Sequence, residues 1–281
     1  ERAADGTLVA SSLALSNEQF LAGINTSLTY SPLGNGSIEL RPTFGDVPTT
    51  TDVNAVAPAP AGNVTVAAGA QIKSGKNGLI GLFGTNVTNS GTLSTDGGQV
   101  LMAAGEQVWL VPHLLDVGMI GLRAYVSALP NFYTPGIDDP VLFQKLAART
   151  AQVGMVVRNE GLVEATAGNI TIVGSTVQQD GIVRAMTTLG SPGSIMIAGE
   201  DSTLWSYYGA IKRRGGTVVF GENSVTQIVV DDSGTVGTGG SAGGHLSRHS
   251  FAAFLVEERL RPHQNPRRTE AALQGSGGGK C

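Results

Sequence analysis

Three carboxylate pairs, Asp138-Asp139, Asp231-Asp232 and Glu257-Glu258, are the residues with the right chemistry to cut a glycosidic bond. Neighbours on a strand point to opposite faces, so Asp231 and Asp232 do not line one cleft. Asp138 or Asp139 suits the cap of a helix whose first turn takes Pro140, and Glu257-Glu258 suits a solvated helix face. His245 and His249 have ligand spacing for a helix, but His245 follows Gly243-Gly244 and no Cys or carboxylate joins them; His113 and His263 stand alone. Ser74-Gly75-Lys76 is followed by Asn77, and Gly275–Lys280 has no helix after it, so neither cradles a phosphate. Thr95-Asp96-Gly97-Gly98 is a single turn and not a calcium-binding array. These readings leave no catalytic, cofactor-binding or metal set. What remains is a candidate contact surface: Trp205, Tyr207 and Tyr208 beside Lys212, Arg213 and Arg214. Aromatic rings interleaved with cations suit protein or anionic-glycan contacts. Lys212-Arg213-Arg214 precedes Gly215-Gly216 and reads as a turn between strands; Arg267-Arg268 is a second short basic cluster.

The elements that would position these residues are short strands. Val64-Thr65-Val66, Gln99–Met102, Asn169–Ile172 and Ser194–Ile197 alternate apolar and polar residues with a period of two. They recur as units. Asn89-Ser90-Gly91-Thr92-Leu93 leads to Gly98–Met102, Asn159-Glu160-Gly161-Leu162-Val163 leads to Gly168–Ile172, and Gln179-Asp180-Gly181-Ile182-Val183 leads to Gly193–Ile197. A repeat of about 20 residues bearing several strands belongs to coiled solenoids. The Gly after each Asn or Asp fits a tight turn, and stacked Asn side chains can ladder amide hydrogen bonds. The expectation is an all-β parallel β-helix, with an antiparallel sandwich or barrel as the alternative. Leu93, Val100, Val163, Ile170, Ile172, Val183, Ile195 and Ile197 are expected to point inward.

Four regions follow: β-helix over 1–111, an excursion over 112–157 with a helix near 138–151, further rungs over 158–234, and 235–281 as Gly-rich linker, helix and basic tail. Phe251, Phe254, Leu255 and Val256 form the apolar face of the helix expected over Ser250–Leu260. That segment is the candidate for self-association, docking on a β-helix surface of its own chain or of another copy.

Composition bounds the function. Charged residues make up 14% and aromatics 5% of the 281, yet 41% are hydrophobic, so the chain can bury a core. Forty glycines without a three-residue period exclude collagen. A net charge of −4 argues against nucleic acid as a partner. The single cysteine, Cys281, excludes an internal disulfide. Glu1–Gly6 shows no basic start leading into an apolar stretch, and the chain reads as a piece of a longer protein.

The opening Asp5-Gly6-Thr7-Leu8-Val9-Ala10-Ser11-Ser12-Leu13-Ala14-Leu15-Ser16-Asn17-Glu18-Gln19-Phe20-Leu21-Ala22-Gly23 resembles a segment of filamentous-haemagglutinin-type exoproteins. Val87–Leu93 and Gly97–Gly105, then Val157–Ile172 and Gln178–Ile197, are similar to that family's rungs. The resemblance spans about 5–111 and 153–232; Pro42–Ala61 departs from it and suggests an extra loop. It implies a right-handed parallel β-helix exported by two-partner secretion through an outer-membrane barrel transporter. It further implies a secreted, Gram-negative cell-surface protein of a family whose members serve as adhesins, cytolysins or stalks; with no converging acid–base pair the reading is an adhesin and not an enzyme, binding a host or bacterial receptor or glycan. Other readings are the stalk of a contact-dependent growth inhibition toxin, a self-assembling matrix or sheath subunit, and a β-helical polysaccharide-degrading enzyme.

Overall fold

The computed structural model describes residues 6–15, 28–30, 38–40, 44–45, 62–112, 121–128, 148, 151–188, 193–205, 211–230 and 254–256. The described residues are nearly all β. The first strands are β1 (Leu8–Ser11), β2 (Leu28–Tyr30) and β3 (Ile38–Leu40). A repeating series follows: β4 (Val64–Val66), β5 (Gln71–Lys76), β6 (Leu79–Gly84), β7 (Val87–Asn89), β8 (Thr92–Asp96) and β9 (Gln99–Ala104). Two strands then leave the series, β10 (Gln107–Pro112) and β11 (Leu122–Ser127). It resumes with β12 (Val156–Asn159), β13 (Leu162–Thr166), β14 (Asn169–Gly174), β15 (Thr176–Gln179), β16 (Ile182–Thr187) and β17 (Ser194–Trp205). The last strands are β18 (Ile211–Gly215), β19 (Thr217–Phe220), β20 (Val225–Val230) and β21 (Phe254–Val256).

Successive strands of the series fall into three parallel sheets in rotation. Sheet A runs β1-β6-β9-β14-β17, sheet B runs β4-β7-β12-β15-β19, and sheet C runs β5-β8-β13-β16-β20. Each passage through B, C and A is one coil, and each coil pairs with the one before it. Register holds from coil to coil: Leu93, Val163 and Val183 are adjacent in sheet C, and Val100, Ile170 and Ile195 in sheet A. All eight residues expected to point inward belong to one core and are at most 1% exposed. The alternating pattern in β13 and β16 puts Leu162, Glu164, Ile182 and Arg184 outward, as the period of two requires.

The turn from sheet B to sheet C explains the repeated Asn-x-Gly. Asn89 donates from Nδ2 to Asn159 Oδ1 at 2.8 Å, and Asn159 donates from Nδ2 to Gln179 Oε1 at 2.9 Å. The three amides are buried and form a column along the stacking direction. Gly161 passes so close to the preceding coil that a Cβ there would collide with the Gly91 carbonyl oxygen. A second column joins Gln99, Asn169 and Ser194, each contact at 2.6 Å.

Sheet A is buried on both faces in β6, β9 and β14, and β6 and β9 accordingly read as nearly continuous apolar runs. Its inner face carries Ile80, Val100, Met102 and Ile172. Its outer face carries Phe83, Leu101, Ala103, Val173 and Met196, in a separate core with Val108, Leu110, Ala124 and Val126 of the antiparallel hairpin β10–β11. Gln99 pins that hairpin by donating to the Leu122 carbonyl at 2.6 Å and accepting from the Leu122 amide at 2.8 Å. The excursion therefore begins at β10, earlier than the boundary at 112 read from the sequence, because the apolar run Val108–Val111 pairs antiparallel with β11 instead of joining the parallel series. Of the helix expected near 138–151, Ala148 is helical and a helical turn spans 151–153; the remainder lies outside the described residues. Phe44, within the departing stretch Pro42–Ala61, is 1% exposed, bridges to Val108 and stacks on Phe83.

The long excursions share an origin. The passage from sheet A to sheet B is tight after β6, through Thr85-Asn86, and after β14, through Ser175. On the alternate coils it is long: residues 12–63 follow β1, residues 105–155 follow β9, and the β17–β18 hairpin follows the sheet-A part of β17. The three lie against one another on sheet A's side, through Phe44 on Val108 and through Glu200 on Arg123.

One expectation fails. The helix proposed over Ser250–Leu260 is replaced at Phe254–Val256 by strand β21, which pairs in parallel with Ile195–Ile197 of β17. An apolar triplet satisfies a sheet edge as readily as a helix face, and tertiary context decides between them. The other residues of 250–260 lie outside the described set.

Candidate contact surface

The candidate surface residues fall on the β17–β18 hairpin. Ser194–Gly199 of β17 pair with β14 inside sheet A, and the strand then runs on past the sheet. From Glu200 onward it pairs antiparallel with β18: Glu200 opposite Gly215, Asp201 opposite Arg214, Ser202 opposite Arg213, Thr203 opposite Lys212. A register shift separates Thr203 from Trp205, which sits opposite Ile211. Trp205, Lys212, Arg213 and Arg214 are thus brought together on one two-stranded arm, and Tyr207 and Tyr208 lie outside the described residues. Lys212, Arg213 and Arg214 are strand residues, not the turn residues read from the sequence. Gly215-Gly216 ends β18 and lets the chain cross back into the stack.

The base of the arm is fixed. The Gly216 amide donates to the Gly199 carbonyl at 2.7 Å, and a Cβ on Gly216 would strike the Ser175 carbonyl oxygen. Glu200 is 4% exposed and lies 3.7 Å from the Arg123 guanidinium of the neighbouring hairpin. The same guanidinium stands 4.8 Å from the centroid of the Tyr125 ring. An ion pair this shielded from water is costly to break from one side, so it holds the arm to β11.

Asp138-Asp139, Asp231-Asp232, Glu257-Glu258 and all four histidines lie outside the described residues. Among the described residues no three of His, Cys, Asp or Glu form a group able to hold a metal ion. Ser74-Gly75-Lys76 belongs to strand β5 and not to a phosphate loop, with Ser74 Oγ donating to Thr95 Oγ1 at 2.7 Å. Sequence reasoning missed Arg123, Tyr125 and Glu200; the alternation Leu122–Ser127 was the available signal, but no spacing links it to Glu200.

Compared with known proteins, the chain matches no family model, no curated protein and no solved structure.

Proposed function

We propose that the three sheets are the faces of one right-handed parallel β-helix, and that this rod is the adhesive segment of a secreted exoprotein of filamentous-haemagglutinin type. The observation that carries the reading is the unbroken register of Leu93, Val163 and Val183 while long excursions leave from a single corner. A stack of near-identical coils supplies reach and stiffness, and insertions gathered on one face of a repeat architecture supply contacts. Right-handed crossovers are the general rule for parallel strands, which agrees with the handedness the family resemblance implies. In this reading the chain is exported through an outer-membrane barrel transporter, stands at the Gram-negative cell surface, and meets its receptor or glycan through the β17–β18 arm. It is not an enzyme.

Beads coated with the purified chain test the role. Attachment to cultured epithelial or bacterial cells, competed by a sulfated polysaccharide and reduced at least fivefold by Lys212→Ala/Arg213→Ala/Arg214→Ala, supports it. Absence of attachment at any coating density refutes it, as does turnover of a polysaccharide by the chain.

A further inference from the structure

The two ends of the stack are stepped and differ in chemistry. At the first end, sheets B and C finish at β4 and β5, while sheet A extends one strand further, to β1. At the other end, β19 and β20 are the outer strands of sheets B and C. The place beside β17 in sheet A is taken by β21, which residues 231–253 separate from β20. In three of the internal coils the passage from sheet C to sheet A is direct: β5 to β6, β8 to β9 and β13 to β14 are joined by two residues each, 77–78, 97–98 and 167–168, and in the fourth β16 reaches β17 through the six residues 188–193. β21 therefore fills the last coil from a distance and not as its next local strand.

We propose that β21 is an intramolecular plug, and that the site it fills accepts β1 of a second copy, so that plug release drives head-to-tail stacking. If the β19–β20 end of one copy abuts the β4–β5 end of the next, the incoming copy's β1 falls beside β17, where β21 now lies. Step and notch are complementary only when β21 leaves. The rows continue across such a joint. In sheet B, Val64, Val87, Val157, Val177 and Val218 share one row, so Val218 would meet Val64 of the next copy. Both are partly buried residues packed on the core, the state of a row with a neighbour on one side only.

The edges have suitable chemistry. β19 and β20 carry no charged residue, and Val219, Phe220 and Val225 are 44%, 41% and 39% exposed. Uncharged exposed edges are templates for strand addition. At the opposite end β5 bears Lys73 and Lys76. In register Lys73 would follow the column Glu164, Arg184, Gln227, so neutral Gln227 separates it from Arg184. Lys73 and Lys76 disfavour two first ends meeting, which makes the contact heterologous and able to propagate.

The inference rests on the stacked-coil reading above and not on the adhesive role. The test uses the whole chain with Cys281→Ser and two added cysteines, Thr65→Cys and Val219→Cys. These positions share one outward row at opposite ends of sheet B, four strand spacings or about 19 Å apart, too far to bridge within one molecule. Leu255→Pro is added to release the plug. The expected result is a ladder of disulfide-linked oligomers on non-reducing gels, at least tenfold stronger with Leu255→Pro than without. No ladder in the Leu255→Pro chain overturns the proposal. A disulfide-linked dimer from Val219→Cys alone also overturns it, because it shows like ends meeting. An Arg158→Cys/Gln178→Cys pair, adjacent in sheet B, is the internal control. Its closure within one chain shows the coils intact, so failure of stacking is separated from failure of the coil reading.

Discussion

Asn159 offers a direct measure of what the amide column contributes. Its side chain is 1% exposed, accepts from Asn89 at 2.8 Å and donates to Gln179 at 2.9 Å. Asn159→Leu keeps the volume roughly constant and removes these two bonds together with two longer ones, both at 3.4 Å, to the Gly161 and Ile182 carbonyls, leaving one donor on Asn89 and one acceptor on Gln179 without that partner. Each buried polar group so stranded costs about 1–3 kcal/mol, which gives roughly 2–5 kcal/mol in all. The Asn89 carboxamide oxygen still accepts from the Gly91 amide, and Gln179 Nε2 still donates to the Gly181 carbonyl, so the turns themselves persist. Adding Asn89→Leu removes one stranded group. The double variant should therefore cost less than the sum of the singles by about 1–2 kcal/mol. Urea unfolding followed by far-ultraviolet circular dichroism reads both quantities, with an unchanged slope showing that the unfolded reference is the same. A loss below 1 kcal/mol for Asn159→Leu, or additive singles, would refute the view that the column is a coupled unit.

Gly161→Ala should lower stability by roughly 1–3 kcal/mol through collision with the Gly91 backbone, seen as a drop in melting temperature. Gly69→Ala, where a Cβ meets nothing within 4 Å but φ is +80°, should cost only about 1–2 kcal/mol from backbone strain, read in the same melt. Ile170→Ala, fully buried between Val100 and Ile195, should cost about 2–4 kcal/mol in chemical denaturation. Arg123→Met should increase proteolytic cutting of the β17–β18 arm, because Glu200 loses its partner at the arm's base.

The repeating strands and their parallel register were legible because their cause is local. Asn-x-Gly marks the turn, and period-two alternation marks which of Leu93, Val163 and Val183 faces inward, so each coil carries its own instructions. Sheet A's second buried face escapes the period-two reading: Gln99–Met102 reads as an alternating strand, yet Val100–Ala104 is apolar throughout and buried on both sides. Nothing in such a run names the hairpin that covers it. The arm's residues were found by type, but Lys212–Arg214 was placed in a turn because Gly215-Gly216 resembles the end of one. Its strand state depends on pairing with Asp201–Thr203, which lies across a loop and has no periodic signature. β21 escaped for the same reason: Phe254–Val256 is apolar under either period, and only the vacant edge of β17 selects the strand.

The columns of amides and the ladders of backbone hydrogen bonds run in one direction, along the stack. Tension applied along that direction therefore opens bonds a coil at a time instead of shearing a whole sheet at once. A coil of about 20 residues pays out about 65 Å of extended chain when it peels away. A tether built this way yields in steps at low force and can rewind on the coil beneath, which keeps its original register through Asn159 and Gln179. Under such tension the chain lengthens coil by coil while the coils beneath keep their pairing.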